Sequence, residues 1–436
     1  MVMRQNKKTK FLMLMGLFLI SPGIASAGTG IDSADTAWMM VSTGLVMLMI
    51  PGLALFYGGM VRSGNVLSVI MHSLFAMGVM SIQWYVIGYS LAWGSDTGSG
   101  FIGGLDYLFL NGVGLEANGT IPHVLFMMFQ GMFAIITPAL IAGAVVERIK
   151  FSAWVAFIVL WGTLVYDPLC HMVWHADGFL LKRGGLDFAG GLVVHISSGV
   201  SALVLAIYLG KRLSYKKIPM PPHNLVLTVL GAALLWFGWF GFNGGSALSS
   251  GALAANALVV THLSAAAGLF AWVVAEWIVH KKPSILGAAS GLVAGLVAIT
   301  PASGFVTASS AILIGLLGGT VCFLGVRIKD RFGFDDSLDA FGVHGIGGIA
   351  GALLTGLFAT KLINPGGADG LFYNLSEGSG LFLEQIFAVV FTIVFAALAT
   401  WLIAIVIDKT IGLRVSKDIE IQGLDGELHG EKAYHG

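Results

Sequence analysis

Hydrophobic residues in this chain occur in long runs that are separated by short polar stretches. Each run after residue 35 is close to the roughly 20 residues that cross a bilayer as an α-helix. Charged residues lie almost entirely between the runs. The pattern predicts an all-α polytopic membrane protein with eleven transmembrane helices, at 36–58, 66–93, 122–146, 151–174, 188–209, 224–243, 252–279, 284–300, 305–326, 338–360 and 383–408.

Composition agrees with this prediction. Of the 436 residues, 56% are hydrophobic and 11% are charged, whereas a soluble domain has about 25% charged residues. This balance excludes an ordinary soluble domain. The two cysteines, Cys170 and Cys322, lie in different hydrophobic runs, so they predict two small buried side chains rather than a disulfide or a cysteine metal site.

The N-terminus has the pattern of a cleaved export signal. Basic residues precede a short hydrophobic stretch at 11–20, and Ala25 and Ala27 provide the small residues of a cleavage site. The alternative, a further transmembrane helix, is disfavoured because the stretch is too short and Pro22 ends it. We expect a signal peptide at 1–27 and a mature chain that begins outside the cytoplasm.

Positive charge is distributed unevenly between the hydrophobic runs. If the first run enters from outside, sixteen Lys and Arg residues fall on the cytoplasmic side and three on the outer side. Such an excess marks cytoplasmic loops. We therefore expect a multi-pass membrane domain at 28–408 in the cell's inner membrane, with its N-terminus outside and a cytoplasmic tail at 409–436. The three outer residues are Lys182, Arg183 and Lys361.

Two short patterns recur in the two halves of the chain. The segment Leu55–Gly59 in the first run resembles Gly241–Gly245 in the sixth, and Asp187 with His195 in the fifth resembles Asp339 with His344 in the tenth. The members of each pair lie five helices apart, an odd number, so one half is inverted relative to the other. Inverted repeats form substrate sites at their interface near the bilayer midplane. The pattern predicts two inverted five-helix repeats around a central pore.

The polar residues of these repeats are candidates for a transport path. Ionisable groups at membrane depth usually face a pore or each other, and an imidazole both accepts and donates protons near neutral pH. His195 and His344 are therefore relay candidates, against the alternative of packing histidines. Asp187 and Asp339 each lie at a predicted helix start, where a carboxylate caps backbone N–H groups. Asp187 is also placed to attract a cation near the outer surface.

Aromatic residues near the predicted outer face indicate what that cation is. Trp174 ends the fourth run, Phe129 and Phe133 lie in the third, and Phe242 and Ser246 lie at the outer end of the sixth. Aromatic faces with a hydroxyl suit a small ammonium-like ion. The alternative is the belt of aromatic residues found at most membrane interfaces.

Four further polar residues favour structural roles. His171 and His175 have the spacing of a metal-binding pair, but Met172 stands where a zinc protease motif has Glu. Asp167 precedes a proline and predicts a helix kink, and Glu276 is expected to pair with a neighbouring donor. We predict no metal site.

Five motifs resemble signatures of the ammonium transporter (Amt/Mep/Rh) family, and the likeness covers essentially the whole mature chain. It is strongest to the bacterial Amt branch. It implies a homotrimer with a pore in each subunit, ammonium or ammonia as substrate, and a transporter rather than an enzyme, with no cofactor. The motifs are Phe129–Phe133, Asp187–Arg212, Gly238–Ser246, Asp339–Gly345 and Gly412–Val415.

The resemblance also implies a role for each pore residue. Ammonium is recruited at an outer aromatic site and gives up its proton behind a gate. Ammonia then crosses a hydrophobic pore while twin histidines relay the proton. The implied residues are Trp174, Phe133, Ser246 and Asp187 for substrate binding, Phe133, Phe242 and Phe129 for the gate, and His195 and His344 for the relay.

The tail resembles the region where a PII-class signalling protein docks on family members, through Gly423–Asp425, His429–Glu431 and Ala433–Tyr434. Three alternative functions stay open. The first is an ammonium sensor, which would be expected to carry a further signalling domain. The second is an Rh-like channel for neutral ammonia gas, and the third is an intramembrane enzyme, for which no catalytic motif is present. No nucleic-acid partner is expected.

Overall fold

The computed structural model describes residues 30–434, so the expected signal peptide at 1–27 lies outside the described part. Over these residues, ten helices are long and apolar enough to cross a membrane, and an eleventh apolar helix is shorter. The predicted all-α membrane fold is confirmed, and its count of eleven fits with one short member. The helices are α1 Ser33–Met60, α2 Ser63–Trp93, α3 His123–Val145, α4 Phe151–Lys182, α5 Gly191–Leu209, α6 Leu225–Gly245, α7 Ala252–His280, α8 Ile285–Ile299, α9 Ala308–Phe332, α10 Phe341–Phe358 and α11 Leu375–Thr410.

Capping side chains determine where several of these helices begin. The Asp32 carboxylate accepts a hydrogen bond from the Asp35 N–H at the start of α1, at 2.8 Å. Asn224 and Ser284 cap α6 and α8 in the same way. Each cap satisfies a backbone donor that has no partner within its helix. Between α2 and α3 the outer loop forms a small hairpin of β1, Ala117–Asn118, and β2, Ile121–Pro122.

Four of the long helices contain a π-helical turn, which widens the helix and is frequent at functional sites. In α2 and α4 these turns are Trp84–Gly88 and Gly162–Tyr166. The α4 turn ends directly before Asp167, where the sequence predicts a kink. In α5 and α10 they are Gly191–Ile196 and Phe341–Gly345. The last two therefore occupy the same position in the two halves of the chain.

The first helix of each half packs against the other in opposite directions. At the end of α1, the Gly59 carbonyl accepts a hydrogen bond of 3.1 Å from the Asn224 N–H, which lies at the start of α6. The end of one helix is thus joined to the start of its equivalent. This arrangement agrees with the predicted inversion of the two halves.

The tail after α11 packs against those ends of the membrane helices that the charges predict to be cytoplasmic. It contains a short helix, α12 Lys417–Gln422, and a π-helical turn at Asp425–His429. The Asp425 carboxylate accepts the N–H groups of Leu67 and Ser68 at 3.0 and 2.8 Å, at the first turn of α2. The tail is therefore held to the membrane domain by a helix cap.

Candidate functional site

Cavities lie in a row between the two halves, and we name them by the orientation that the charges predict. The outer cavity has a volume of about 140 Å³, the central cavity about 10 Å³ and the inner cavity about 40 Å³. The central and inner cavities share Phe56, Val293 and His344. A fourth space of about 310 Å³, the inner mouth, shares Met60 and Leu338 with the inner cavity. Together they outline a path with a narrow middle.

The outer cavity is lined by three of the predicted substrate-binding residues. The Trp174 and Phe133 rings meet edge to face, with centroids 5.9 Å apart. The indole N–H of Trp174 donates to the Asp187 carbonyl oxygen at 2.8 Å, which fixes the ring. Ser246 directly follows α6, and its hydroxyl donates to the Phe242 carbonyl oxygen at 2.8 Å. The hydroxyl oxygen remains available as an acceptor.

The same cavity contains four residues that the sequence did not predict, namely Trp93, Gln130, Phe188 and Leu248. Gln130 is 8% exposed and adds an amide to the aromatic wall. Gln130 directly follows the predicted gate residue Phe129. This proximity was the one indication in the sequence that Gln130 lies at the site. Phe188 directly follows Asp187 and Leu248 lies two residues after Ser246, so the sequence offered a similar signal for both. Trp93 comes from α2, which only the fold brings to this site.

Two phenylalanine rings separate the outer cavity from the central one. Phe133 and Phe242 have centroids 4.3 Å apart, and each side chain is about 1% exposed. Phe129 packs beside them, 5.1 Å from Phe133. The structure therefore brings all three predicted gate residues together, and the path is closed in this conformation. Passage requires at least one ring to rotate.

The two predicted relay histidines face each other below these rings. The Nδ1 atoms of His195 and His344 are 3.3 Å apart, so one donates a hydrogen bond and the other accepts it. The His195 ring also lies nearly parallel to Trp239, at 5.6 Å. Apart from these two imidazoles, the central cavity is lined by aliphatic and aromatic residues and methionine. The histidines are thus a polar stripe in a hydrophobic passage.

The close contact of α5 with α10 sets this distance between the histidines. A Cβ atom on Gly199 would lie 2.1 Å from the Gly345 nitrogen, closer than any side chain tolerates. Each histidine also lies within a π-helical turn, which displaces it relative to a regular α-helix. The small residues at this contact and the π-helical turns of the two helices together orient both imidazole rings toward the central cavity.

Asp187 acts as the predicted helix cap. Its two carboxylate oxygens accept the four backbone N–H groups of Gly190–Val193 at 2.6 to 3.3 Å, at the start of α5. Burial raises the pKa of the Asp187 carboxyl above its ordinary value, while these hydrogen bonds act in the opposite direction. Among the described residues Asp187 does not line the outer cavity, but its carbonyl oxygen accepts the N–H of Trp174, which does.

The predicted cap at Asp339 is wrong, because Asp336 caps α10 instead. The Asp336 carboxylate accepts the N–H groups of Ala340 and Phe341 at 3.0 and 2.8 Å, whereas Asp339 pairs with Lys329. Asp336 precedes His344 by eight residues, as Asp187 precedes His195. This equal spacing was the signal in the sequence for the true equivalent of Asp187.

The remaining predicted polar residues have structural partners. His171 stacks on His175 and contacts the Ala92 carbonyl and Asp96. Asp167 accepts a hydrogen bond of 2.7 Å from Gln83, and Glu276 accepts two from Ser284. Within residues 30–434 no group of three or more His, Cys, Asp or Glu side chains is arranged to hold a metal ion.

Comparison with known proteins shows that the sequence of this chain is similar to those of ammonium transporters. Residues 37–434 match the sequence profile of the Ammonium Transporter Family. The chain is 53% identical to an ammonium transporter of Bacillus subtilis over 404 residues, which are 92% of this chain and 98% of that protein. It is 46% identical to ammonium transporter Amt1 of Archaeoglobus fulgidus over 403 residues, 92% of this chain and 100% of the other.

Solved structures with this fold point the same way. The crystal structure of Saccharomyces cerevisiae Mep2 matches with a TM-score of 0.83 and 36% identity, over 90% of this chain and 92% of that one. A structure described as a sensor Amt protein matches with a TM-score of 0.83 and 29% identity, over 90% and 97% of the two chains.

Proposed function

The chain belongs to the ammonium transporter family and is a multi-pass ammonium transporter, and we propose that it carries ammonium by separating the ion into ammonia and a proton. The observation that supports this most directly is the His195–His344 contact of 3.3 Å inside an otherwise apolar cavity. An ammonium ion in such a passage would lose its hydration at a large cost. Neutral ammonia crosses far more easily.

Capture takes place in the outer cavity under this proposal. A cation over the faces of Trp174 and Phe133 gains a cation–π attraction of about 0.5–2 kcal/mol. The Ser246 hydroxyl oxygen accepts a hydrogen bond from the ion. The amide of Gln130, at the same wall, supplies a further carbonyl oxygen. Rotation of Phe133 or Phe242 then admits the substrate to the central cavity.

Ammonium loses its proton on the central-cavity side of this gate, and the proton and the ammonia then move by separate routes. Ammonia moves past the aliphatic wall, and the proton moves through the hydrogen bond between the two imidazoles, each of which accepts on one nitrogen and donates on the other. Potassium has no proton to release, so it is excluded by its chemistry rather than by its diameter. This coupling makes the transport electrogenic.

The test is an ammonium-evoked current in proteoliposomes containing the purified protein. We expect the parent to carry a saturable current without a potassium current, and His195→Ala and His344→Ala to lose charge-coupled transport while they still fold. His262→Ala is the matched control, because this histidine lies on α7 with its ring against Trp236, outside the pore. Unchanged currents in both pore variants would refute the relay.

The assembly and location that complete this proposal follow from the family resemblance and the charge pattern. We propose a homotrimer in the cell's inner membrane, with the N-terminus outside and the tail at 409–436 in the cytoplasm. A trimer presents three inner mouths around one symmetry axis, so a trimeric PII-class protein can cover all three at once. Native mass spectrometry in detergent tests the trimer, and a monomer as the sole species would contradict it.

Regulation through the tail is tested by truncation after Lys409. We expect the truncated protein to keep its membrane helices and to lose association with a PII-class protein after a pulse of ammonium. Full-length and truncated proteins are purified from the native membrane and compared for the co-purified partner. Equal retention by the two proteins would show that the tail is not the docking element.

A further inference from the structure

Beneath the histidines, the inner cavity contains one acidic residue. Of the described residues that line it, only Asp339 carries a formal charge, and His344 and Tyr57 are the other titratable ones. The volume of about 40 Å³ is enough for water. The Asp339 side chain is 37% exposed and pairs with Lys329, which lines the inner mouth. A carboxylate therefore stands where the inner cavity opens to the mouth.

The backbone at this position is one that glycine normally occupies. Asp339 has a φ of 61°, in the left-handed region that side chains other than those of Asp and Asn rarely enter. Asp339 follows the capping residue Asp336 by three residues, and its equivalent in the other half follows the cap Asp187 by the same number. That equivalent is Gly190, with a φ of 119°. The fold thus requires a positive φ at both places, and the inner half has a carboxylate where the outer half has none.

Capping does not explain this carboxylate, because Asp336 already supplies the cap. Lys329 also donates to the Asp336 carbonyl at 3.1 Å, so the lysine is anchored to the loop independently of the Asp339 side chain. The Asp339 carboxylate therefore has one fixed partner, Lys329, and an open side toward the cavity. Its position suits proton exchange rather than support of a helix.

We propose that Asp339 is the inner proton-exchange residue of the pore, a role that rests on the proposed function. The proton released from ammonium passes from the histidine pair through water in the inner cavity to the carboxylate. The resulting carboxylic acid then gives this proton to ammonia that leaves the central cavity. The products are an ammonium ion in the inner mouth and the regenerated carboxylate. The proton is conserved, and no other reactant is needed.

The electrostatic surroundings fit such an exchange. Burial raises the pKa of the Asp339 carboxyl above its ordinary value, and Lys329 and Arg212 oppose that rise. A carboxyl with a raised pKa accepts a proton at a higher pH than an exposed aspartate does. The charged and titratable groups that face it are Lys329 and Asp330 from α9, Asp336 from the same loop, Arg212 from the loop after α5, and His344 and Tyr57 across the cavity.

The test compares variants that keep the backbone and remove the carboxylate. Asp339→Gly places the residue of the outer half at the same φ, so it relieves strain, and Asp339→Asn preserves the shape. We expect both to fold with the unfolding temperature of the parent or a higher one, and to lose ammonium current on the order of 100-fold. Asp418→Asn, at an exposed carboxylate of α12, should leave the current within about twofold, because it lines none of the four spaces of the path.

Lys329→Met separates proton exchange from a purely structural ion pair. It should retain current, with a pH dependence shifted toward higher pH because loss of the cation raises the pKa of Asp339. Currents of both Asp339 variants within about twofold of a conducting parent would overturn this inference alone. Equal losses in the Lys329 and Asp339 variants, with lowered unfolding temperatures, would also overturn it. A parent without current would refute the proposed function and this inference together.

Discussion

At the scale of single residues, the path through the membrane depends on a few polar groups in an apolar wall. His195 and His344 are the only ionisable residues that line the central cavity among those described, and their rings lie 5.4 Å apart between centroids. Trp239 holds one face of His195 and donates its own N–H to the Thr300 hydroxyl at 3.0 Å. The imidazoles are therefore fixed by aromatic packing, and their nitrogens stay available for protons.

Trp174→Leu tests the outer capture site. The change keeps bulk and removes most of the cation–π attraction of about 0.5–2 kcal/mol, so the half-saturating ammonium concentration should rise about 2- to 30-fold. The maximal current should change much less, because the residue does not touch the histidines. Trp401→Leu, at a half-exposed tryptophan of α11, is the control. Equal half-saturation in the parent and in Trp174→Leu would place the capture site elsewhere.

Asp187 is tested with two substitutions that separate charge from capping. Asp187→Asn retains one acceptor oxygen and removes the charge, whereas Asp187→Ala removes both. We expect the Asp187→Asn variant to assemble normally and to transport poorly. The Asp187→Ala variant should transport poorly as well and lose about 0.5–2 kcal/mol of folding stability. Thermal unfolding in detergent and ammonium current are measured on both variants. Full transport by Asp187→Asn would reduce this residue to a cap.

At the scale of the helices, the site is built by irregular winding and by close approach. The π-helical turns of α5 and α10 each contain one of the histidines, and glycine contacts allow these two helices to touch. Neither helix alone forms a site. The geometry of the relay is a property of the α5–α10 contact.

Gly199→Ala tests this contact. The new methyl group would lie 2.1 Å from the Gly345 nitrogen, and overpacking of this kind costs about 1–3 kcal/mol. We expect a lower unfolding temperature and a reduced ammonium current, since the helices must separate and the histidines with them. Gly78→Ala on α2 is the control, because nothing lies within 4 Å of the added atom. Similar behaviour of the two variants would show that the contact does not position the relay.

The sequence predicted the helices well, because membrane length and hydrophobic runs are local properties. The structure brings the predicted gate and relay residues together. The sequence could not predict the π-helical turns, which depend on how α5 and α10 pack. It assigned the inner cap to Asp339 because that residue is nearer to the start of the hydrophobic run. In the structure the Asp336 carboxylate accepts the capping hydrogen bonds instead. Trp93 was missed because it reaches the outer cavity from a distant segment, whereas Phe188 directly follows Asp187 and was passed over inside a predicted motif.

At the scale of the whole molecule, two inverted halves enclose the path, and the tail packs against the start of α2. Polar contacts join the tail to the loops, since Arg62 donates to the Glu420 carbonyl oxygen at 3.2 Å and the Glu420 carboxylate accepts the Leu213 N–H at 2.6 Å. Arg62 also pairs with Glu147. Arg212 bridges Glu147 and Asp335, and the Asp335 carboxyl has a lowered pKa, because its hydrogen bonds to Arg212 outweigh its burial. Displacement of the tail can therefore disturb the ion pair of Arg212 with Glu147, and both residues line the inner mouth.

Asp425→Ala tests how the tail is held. The substitution removes the acceptor of the Leu67 and Ser68 N–H groups, and a lost cap costs about 0.5–2 kcal/mol. We expect faster hydrogen exchange across 417–434 and at the start of α2, with the membrane helices unaffected. Glu427→Ala, on the same turn, is the control. Unchanged exchange in Asp425→Ala would show that other contacts hold the tail.

The most direct test of the mechanism is the ratio of charge moved to ammonia moved by the parent protein. Current and ammonia uptake are measured together on the same proteoliposomes, under an ammonium gradient, with potassium in place of ammonium as the control. Separation of the ion into ammonia and a relayed proton predicts one positive charge for each ammonia molecule, and no current with potassium. Uptake of ammonia without charge would contradict the account and identify a neutral gas channel.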